Sequence, residues 1–581
     1  MNTFLSGWGC IPVKCYKRIA VFLFVVLFVS LTLTNADAET GLDLVPADAF
    51  GYAQLSNIYQ IFEAVIESPE WEELSEIETT KIALTQIVQI GPVVQMITGL
   101  TWEEFVKIFG RQVTLVVLGI SDNPDLALIF DVEGSRELAE DALDQLVILM
   151  ASGEDIEIAP ESEEYSGVKF NTLLTGDGNT IQYGFIDNFM ILAMNEGFEP
   201  IVDVHQGKAT SILGTPEYQE MINKIEPPGT AYAYVNLERT IPAIQAAEAA
   251  KEGEAIQPSE DEMQSAILKS AKALAVKLDL LGNTHEAYLR LDPQGPAMMF
   301  APLLLREHPK LASINLLPAI NGAFVGLQIG DPTETWTQLT GLATMMGQDL
   351  NGIVDELEMQ LGFNLKDDLL NALTGEIGLG ISLPVEEVNL KDNPIDFAKF
   401  QPVIIIGVKD RDKFKAIPTQ ITSLVQMDHF ASSKDKLGGI LRGILTVDAI
   451  FPGIALAPWY TFTEEFFVAS TSYPQVVAIM KQLENPVPKL VDDFSVEPWI
   501  LGYLNTGVVA EFLVQQDLGD DLDLPETAAA KLPNISPIQI AYGAEPEGVK
   551  LTLTTTSDQT WLSSILNALM VVAYAEMENQ E

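Results

Sequence analysis

The residues able to do chemistry in this 581-residue chain are few and scattered. Its four histidines (His205, His285, His308 and His429) form neither H-E-x-x-H nor any close pair, so the zinc-hydrolase helix is missing. Each is expected to be a lone surface or loop residue. No G-x-S-x-G elbow and no Walker P-loop occurs. Ser433 and Lys436 fit S-x-x-K, but they lie in a polar stretch and the companion S-D-N and K-T-G motifs are absent. The glycines of GEIGLG (Gly375, Gly378, Gly380) do not spell G-x-G-x-x-G; inside an apolar β run, close strand packing or a bulge accounts for them. The strongest metal candidate is the acidic loop with Asp517, Asp520, Asp521 and Asp523, since hard cations need several oxygens converging on one point. Pro525 falls where an EF-hand loop would continue, so a solvated loop is expected and calcium would be opportunistic. With 82 Asp and Glu, a carboxylate pair for glycoside hydrolysis is always available and none stands out. The sequence therefore assigns no catalytic residue and no cofactor, and leaves a metal site undefined.

The elements that would position any site are clearer, because they are written twice. LVPADAFGYAQL (Leu44 to Leu55) has a counterpart in LLPAINGAFVGLQ (Leu316 to Gln328), and YGFIDNF (Tyr183 to Phe189) in YTFTEEF (Tyr460 to Phe466). Pro46 and Pro318 lie 272 residues apart, Phe189 and Phe466 277, Tyr234 and Tyr503 269, Gly110 and Gly375 265. Four matches in one order at nearly one offset point to an internal duplication. Tyr183 and Phe185, like Tyr460 and Phe462, alternate at strand spacing and so share a sheet face, where core packing is expected.

Within each half, short β-branched runs alternate irregularly with amphipathic helices. Thr101 with Glu104 reads as a capping box opening a helix that ends at Gly110. Ser135 starts a helix whose Leu138, Ala142, Leu146 and Leu149 lie along one side. Asp177-Gly178 marks a tight hairpin turn, Thr215-Pro216 a helix start, and Asp331-Pro332 with Glu334 another. In the second half, PVIIIGV precedes KDRDKF as LALIFDV precedes EGSREL. The last helix, Trp561 to Ala575, carries Leu562, Ile565, Leu569 and Val572 on one face; it is short for a membrane span and is expected to pack on the second module. This is α+β: two related modules, each a mainly antiparallel sheet with helices on it. Residues 39–250 make the first module, 251–312 a connecting segment with a helix and β pair, and 313–581 the second.

Lys14, Lys17 and Arg18, the apolar run Ile19 to Thr34, and Ala36-Asp37-Ala38 read as a signal peptide over residues 1–38. The alternative is an uncleaved anchor, because the run approaches spanning length. Cys10 and Cys15 both lie in this leader, so the mature chain has no thiol. Net charge is −50, which repels nucleic acid and anionic membranes. Membrane contact is expected only if the leader is retained. A 48% hydrophobic content excludes disorder as the reason for that acidity.

The leader, L-x-P-A-D before an aromatic β run, a G-[RE] strand and Y-x-F-x-[DE]-x-F together resemble an exported bacterial family known as domain of unknown function 3352. The resemblance runs from about Leu44 into the second repeat and implies a bacterial envelope or secreted setting without supplying catalytic residues. Ile320-Asn321 replaces Asp48-Ala49 in the second repeat, so Asp48 is not a duplicated functional acid. The expectation is an exported (periplasmic or extracellular) non-enzymatic protein that binds an unknown protein partner or an apolar ligand. The alternatives are a carboxylate-dependent envelope hydrolase, with or without calcium, and a membrane-tethered structural protein. Terminal sequencing of the protein from its host's envelope or medium should find Glu39 first; an intact leader on all of the protein would establish the tether instead.

Overall fold

The computed structural model describes residues 41–77, 90–121, 123–151, 156–159, 162–176, 178–225, 229–252, 269–292, 311–313, 321–345, 348–361, 364–384, 399–415, 441–442, 445–446, 455–456, 459–484, 498–515, 526–545, 547–555 and 560–578. The acidic loop at 517–523, Ser433 and Lys436, Asp177, His308 and His429 lie outside them, as does most of the connecting segment. The chain divides into two compact units: Met1–Gln257 with Ala273–Leu281, and Pro258–Lys272 with Gly282–Glu581.

In unit 1 the strands are β1 (Gly51–Ser56), β2 (Gln112–Val117), β3 (Leu126–Asp131), β4 (Ile156–Ile158), β5 (Glu163–Tyr165), β6 (Val168–Thr175), β7 (Thr180–Ile186), β8 (Phe189–Met194), β9 (Ala231–Val235) and β10 (Ala271–Leu278). They pair antiparallel in the order β10-β9-β1-β2-β3-β8-β7-β6, with β4 and β5 on the free edge of β6. The helices are α1 (Ile58–Ile66), α2 (Pro69–Glu76), α3 (Ile90–Thr98), α4 (Trp102–Phe109), α5 (Arg136–Ala151), α6 (Phe198–His205), α7 (Pro216–Ile222) and α8 (Leu237–Glu252).

Both faces of this sheet are covered. Leu128, Phe130, Tyr183 and Met190 bury against Val94 of α3, Phe105 and Phe109 of α4, and Ala139, Ala142, Leu143 and Val147 of α5. On the other face Tyr52 shares a 2.6 Å hydrogen bond with Tyr218 of α7, and its ring stacks on Tyr234 across β1 and β9. Burial, with Tyr218 beside it, drives the Tyr52 phenol far above its ordinary pKa, so it stays protonated. The Thr101 capping box forms with both of its hydrogen bonds, and Gly110 ends α4. Thr215 precedes Pro216 at the start of α7, but its hydroxyl turns back to the Ile212 carbonyl rather than capping. The stripe expected on α5 is corrected. Leu138 and Leu149 are exposed, and Ala139, Ala142, Leu143 and Val147 face the core. α5 is apolar around more than half its girth, so spacing alone picked a neighbouring stripe.

Unit 2 holds β11 (Thr284–Leu291), β12 (Gly322–Gln328), β13 (Leu373–Ser382), β14 (Pro402–Val408), β15 (Leu441–Arg442), β16 (Leu445–Thr446), β17 (Ala455–Leu456), β18 (Trp459–Phe462), β19 (Phe466–Ser470), β20 (Pro498–Leu504), β21 (Ile538–Glu545) and β22 (Gly548–Thr555). The order is β11-β22-β21-β20-β12-β13-β14-β19-β18-β15, again antiparallel throughout, with β16 and β17 paired separately. Its helices are α9 (Pro332–Met345), α10 (Leu350–Leu361), α11 (Tyr473–Glu484), α12 (Thr506–Gln515), α13 (Glu526–Ala529) and α14 (Trp561–Glu578). Asp331 starts α9 by accepting the Thr333 and Glu334 amides. Phe324, Val403, Ile405, Phe466, Val468, Leu501, Tyr503 and Ala541 bury with Leu311 and Ile479 of α11. Gly378 and Gly380 lie on this face, and a Cβ on Gly378 would stand 3.0 Å from the Phe324 ring. Close packing, not phosphate binding, requires that glycine. α14 is also corrected: Leu562, Leu566 and Met570 are buried, while Ile565, Leu569 and Val572 are 43–53% exposed. No described helix is long and apolar enough to cross a membrane.

Between β11 and β22, Lys550 and Glu286 form a 2.7 Å ion pair at 2% and 4% side-chain exposure. Lys550 stands opposite Tyr288 and Glu286 opposite Thr552, so the pair runs diagonally across one sheet face. Lys550→Met alone should cost about 3–5 kcal/mol in urea unfolding, because Glu286 is left charged and buried. Adding Glu286→Leu should recover most of the loss; an equal loss in the double variant would mean that packing, not charge, is at stake.

Candidate functional site

Among the sequence candidates, His205 ends α6 at 3.6 Å from Asp187, and His285 stacks on Trp561 at 4.5 Å. These are separate places, and no group of three or more His, Cys, Asp or Glu able to hold a metal occurs among the described residues. Tyr183 and Phe466 sit in cores, with Phe185 and Phe462 at their margins, as their strand spacing required.

Unit 1 carries a polar cleft of about 530 Å³ between α5 and the strands β6 and β7. Its charges are largely committed to one another. Arg136 bonds Glu140 at 2.8 Å, donates to the Asp187 carbonyl at 2.8 Å and lies over the Phe185 ring. Asp144 stands in the same wall beside Tyr183, whose phenol is raised by burial first and by Asp144 second.

The more unusual surface is in unit 2. Side chains alternate across a strand, so the face opposite the Phe324 core carries a row that crosses the sheet in register. That row reads Ile540, Gly502, Val325, Leu379, Ile404, Ala469 and Tyr460. Val325 is 52% exposed, Leu379 53%, Ile404 43% and Ile540 45%. Flanking rows are apolar too but partly covered: Ala372, Val408 and Phe414 pack against Ile406 and Phe467 on one side, and Phe400 with Phe512 against Ile381 on the other. In unit 1 the row Ala53, Leu115, Leu128, Leu192 and Tyr183 crosses the sheet in register, and α3 to α5 bury its centre. The exposed central row of unit 2 is the candidate contact surface.

One end of the face is cationic. Phe414 packs on Phe462 and Phe467, and its neighbours Arg411 and Lys415 stand 5.8 and 5.3 Å from the Phe462 ring centre. Both are exposed, and neither makes an ion pair among the described residues. Sequence reading took KDRDKF only as the segment after a β run that matches EGSREL in the first half. The available signal was four basic residues in positions 409–415 of a chain that has 32 in all. It also took the unbroken apolar runs of β13 and β14 as ordinary strands, since a continuous run fits a sheet buried on both faces.

Beneath the sheet, Glu376 is 4% exposed and accepts the Ser313 amide at 2.5 Å. Burial raises its carboxyl above the ordinary range; the Ser313 hydrogen bonds oppose that rise and Glu465 adds to it. It fastens residues 311–313, including core Leu311, to the start of β13, where Gly375 adopts φ +90°.

These features define a two-unit α+β protein with large antiparallel sheets, one of which carries a row of exposed apolar side chains among the described residues. The chain belongs to the family described as "Protein of unknown function (DUF3352)", which matches residues 70–441, more than half of its length. No curated protein matches it. Among solved structures it is similar to TP0453 at 8% identity and a TM-score of 0.22. Crystal form IV of that protein aligns over 43% of this chain and 79% of its own, and form III over 48% and 91%. A TM-score of that size carries no argument about this chain.

Because Glu376 binds its proton more tightly in the folded state, the folded state gains stability below the ordinary value of 4.5 and loses it as pH rises through the raised value. Glu376→Gln should flatten the pH dependence of the urea midpoint above about pH 4.5 and raise the midpoint at neutral pH. An unchanged profile would show that this carboxylate is not the source.

Proposed function

We propose that this is an exported, non-enzymatic binding protein of the bacterial envelope or extracellular space that holds an apolar small molecule on the open sheet face of unit 2. One observation carries the reading: Val325, Leu379, Ile404 and Ile540 form a row across five strands and each keeps at least 43% of its surface in solvent. At about 25 cal/mol per Å² of apolar surface, covering such a row drives binding without any polar chemistry. Export rests on the leader and on the family resemblance. A second copy is disfavoured as the occupant, because two chains of net charge −50 repel.

We also read the two units as products of an internal duplication. The orders β9-β1-β2-β3-β8-β7 and β20-β12-β13-β14-β19-β18 agree. Tyr183 opposite Leu192 and Tyr460 opposite Ala469 keep the 277-residue offset on both strands.

The carboxylates of the unit 1 cleft (Glu140, Asp144 and Asp187) support a second reading, an envelope hydrolase. Turnover by the purified protein on glycan, peptide or ester panels would favour it. The neutral dye Nile red should brighten on binding the purified protein, and Leu379→Asn with Val325→Asn should abolish the signal. Dye that ignores the protein, or binds the variant equally well, would sink the apolar-face reading.

A further inference from the structure

We infer that the open face of unit 2 takes a single-chain anionic amphiphile, a long-chain fatty acid carboxylate, with its head at Arg411 and Lys415 and its tail along the exposed row. This rests on the binding reading above and specifies its ligand. Arg411 and Lys415 converge on one ring, Phe462, at the margin of the apolar surface, and neither forms an ion pair among the described residues, though Asp410 and Asp412 flank Arg411 in the chain. In so acidic a chain, two cations drawn over one ring beside an apolar surface match a ligand that is apolar along its body and negative at one end.

The dimensions agree. From Phe462 on β18 the sheet runs through β19 and β14 to β13, three steps of about 4.8 Å, or roughly 14 Å, to the strand of Leu379. One acyl chain spans about half of the ~30 Å hydrocarbon core of a bilayer, so with its head at Arg411 and Lys415 its tail ends near Leu379. A membrane surface is the wrong source for the same chemistry, because the net charge of −50 repels an anionic leaflet.

Calorimetry of the full protein with sodium laurate, and with lauryl maltoside as the neutral head on the same alkyl chain, separates the parts. The expected result is tighter binding of laurate, weakened by salt, with Arg411→Gln plus Lys415→Gln lowering its affinity about tenfold. Lauryl maltoside should bind both proteins alike, and Leu379→Asn should weaken both ligands by placing an amide under the tail. Laurate binding no tighter than maltoside, or unmoved by the double variant, overturns the anionic-head assignment and leaves the apolar-face reading intact. Failure of both amphiphiles overturns the two together. Capture by phosphatidylglycerol vesicles that depends on Arg411 and Lys415 would replace the free fatty acid with a membrane.

Discussion

Successive side chains of a strand point to opposite sides, so a wide antiparallel sheet always presents two faces that must each meet something. That constraint organises the whole molecule. Unit 1 answers it with two layers, α3 to α5 over Leu128 and Tyr183, and α6 with α7 over the side that holds Tyr52. Unit 2 has Leu311 and α11 over Phe324 and Ile405; on the other face Phe414 and Phe512 pack at the margins, and among the described residues the central Val325, Leu379 and Ile404 stay exposed. The aromatic pairing of Tyr52 with Tyr234, and of Phe324 with Tyr503, sits at the same point in both sheets, so the difference lies in the covering layer rather than in the strands.

Charge is distributed on the same logic. The few cations that sit inside have carboxylate partners. Arg111 reaches Asp131 at 3.1 Å and Glu133 at 2.7 Å beside the first strand after α4, and Lys550 reaches Glu286. Glu376 is buried beside the Ser313 amide, and burial raises its proton affinity against that hydrogen bond. Arg411 and Lys415, at the edge of the open face, lie over the Phe462 ring instead.

Much of this was legible in the sequence where a local rule has one outcome. Thr101 with Glu104, Asp331 before Pro332, and the alternation of Tyr183 with Phe185 each dictate one geometry, and each formed. Rules with two outcomes failed. α5 and α14 are apolar on adjacent stripes, so Leu138 and Ile565 were as plausible core residues as Ala142 and Leu566, and only tertiary packing separates them. The exposed row of unit 2 was illegible for the same reason. PVIIIGV reads identically whether its second side is buried or bare, and exposure belongs to the layer above it.

The diagonal between Lys550 and Glu286 has a consequence for assembly. The strands that carry them are more than 250 residues apart in the chain and must find each other late. A slip of one residue would turn every side chain of β22 to the opposite face and strand both charges without compensation. Only one alignment pays that electrostatic debt. The pair thus acts as a proofreading device for the closing strands, rejecting near-miss pairings that hydrophobic side chains alone would tolerate.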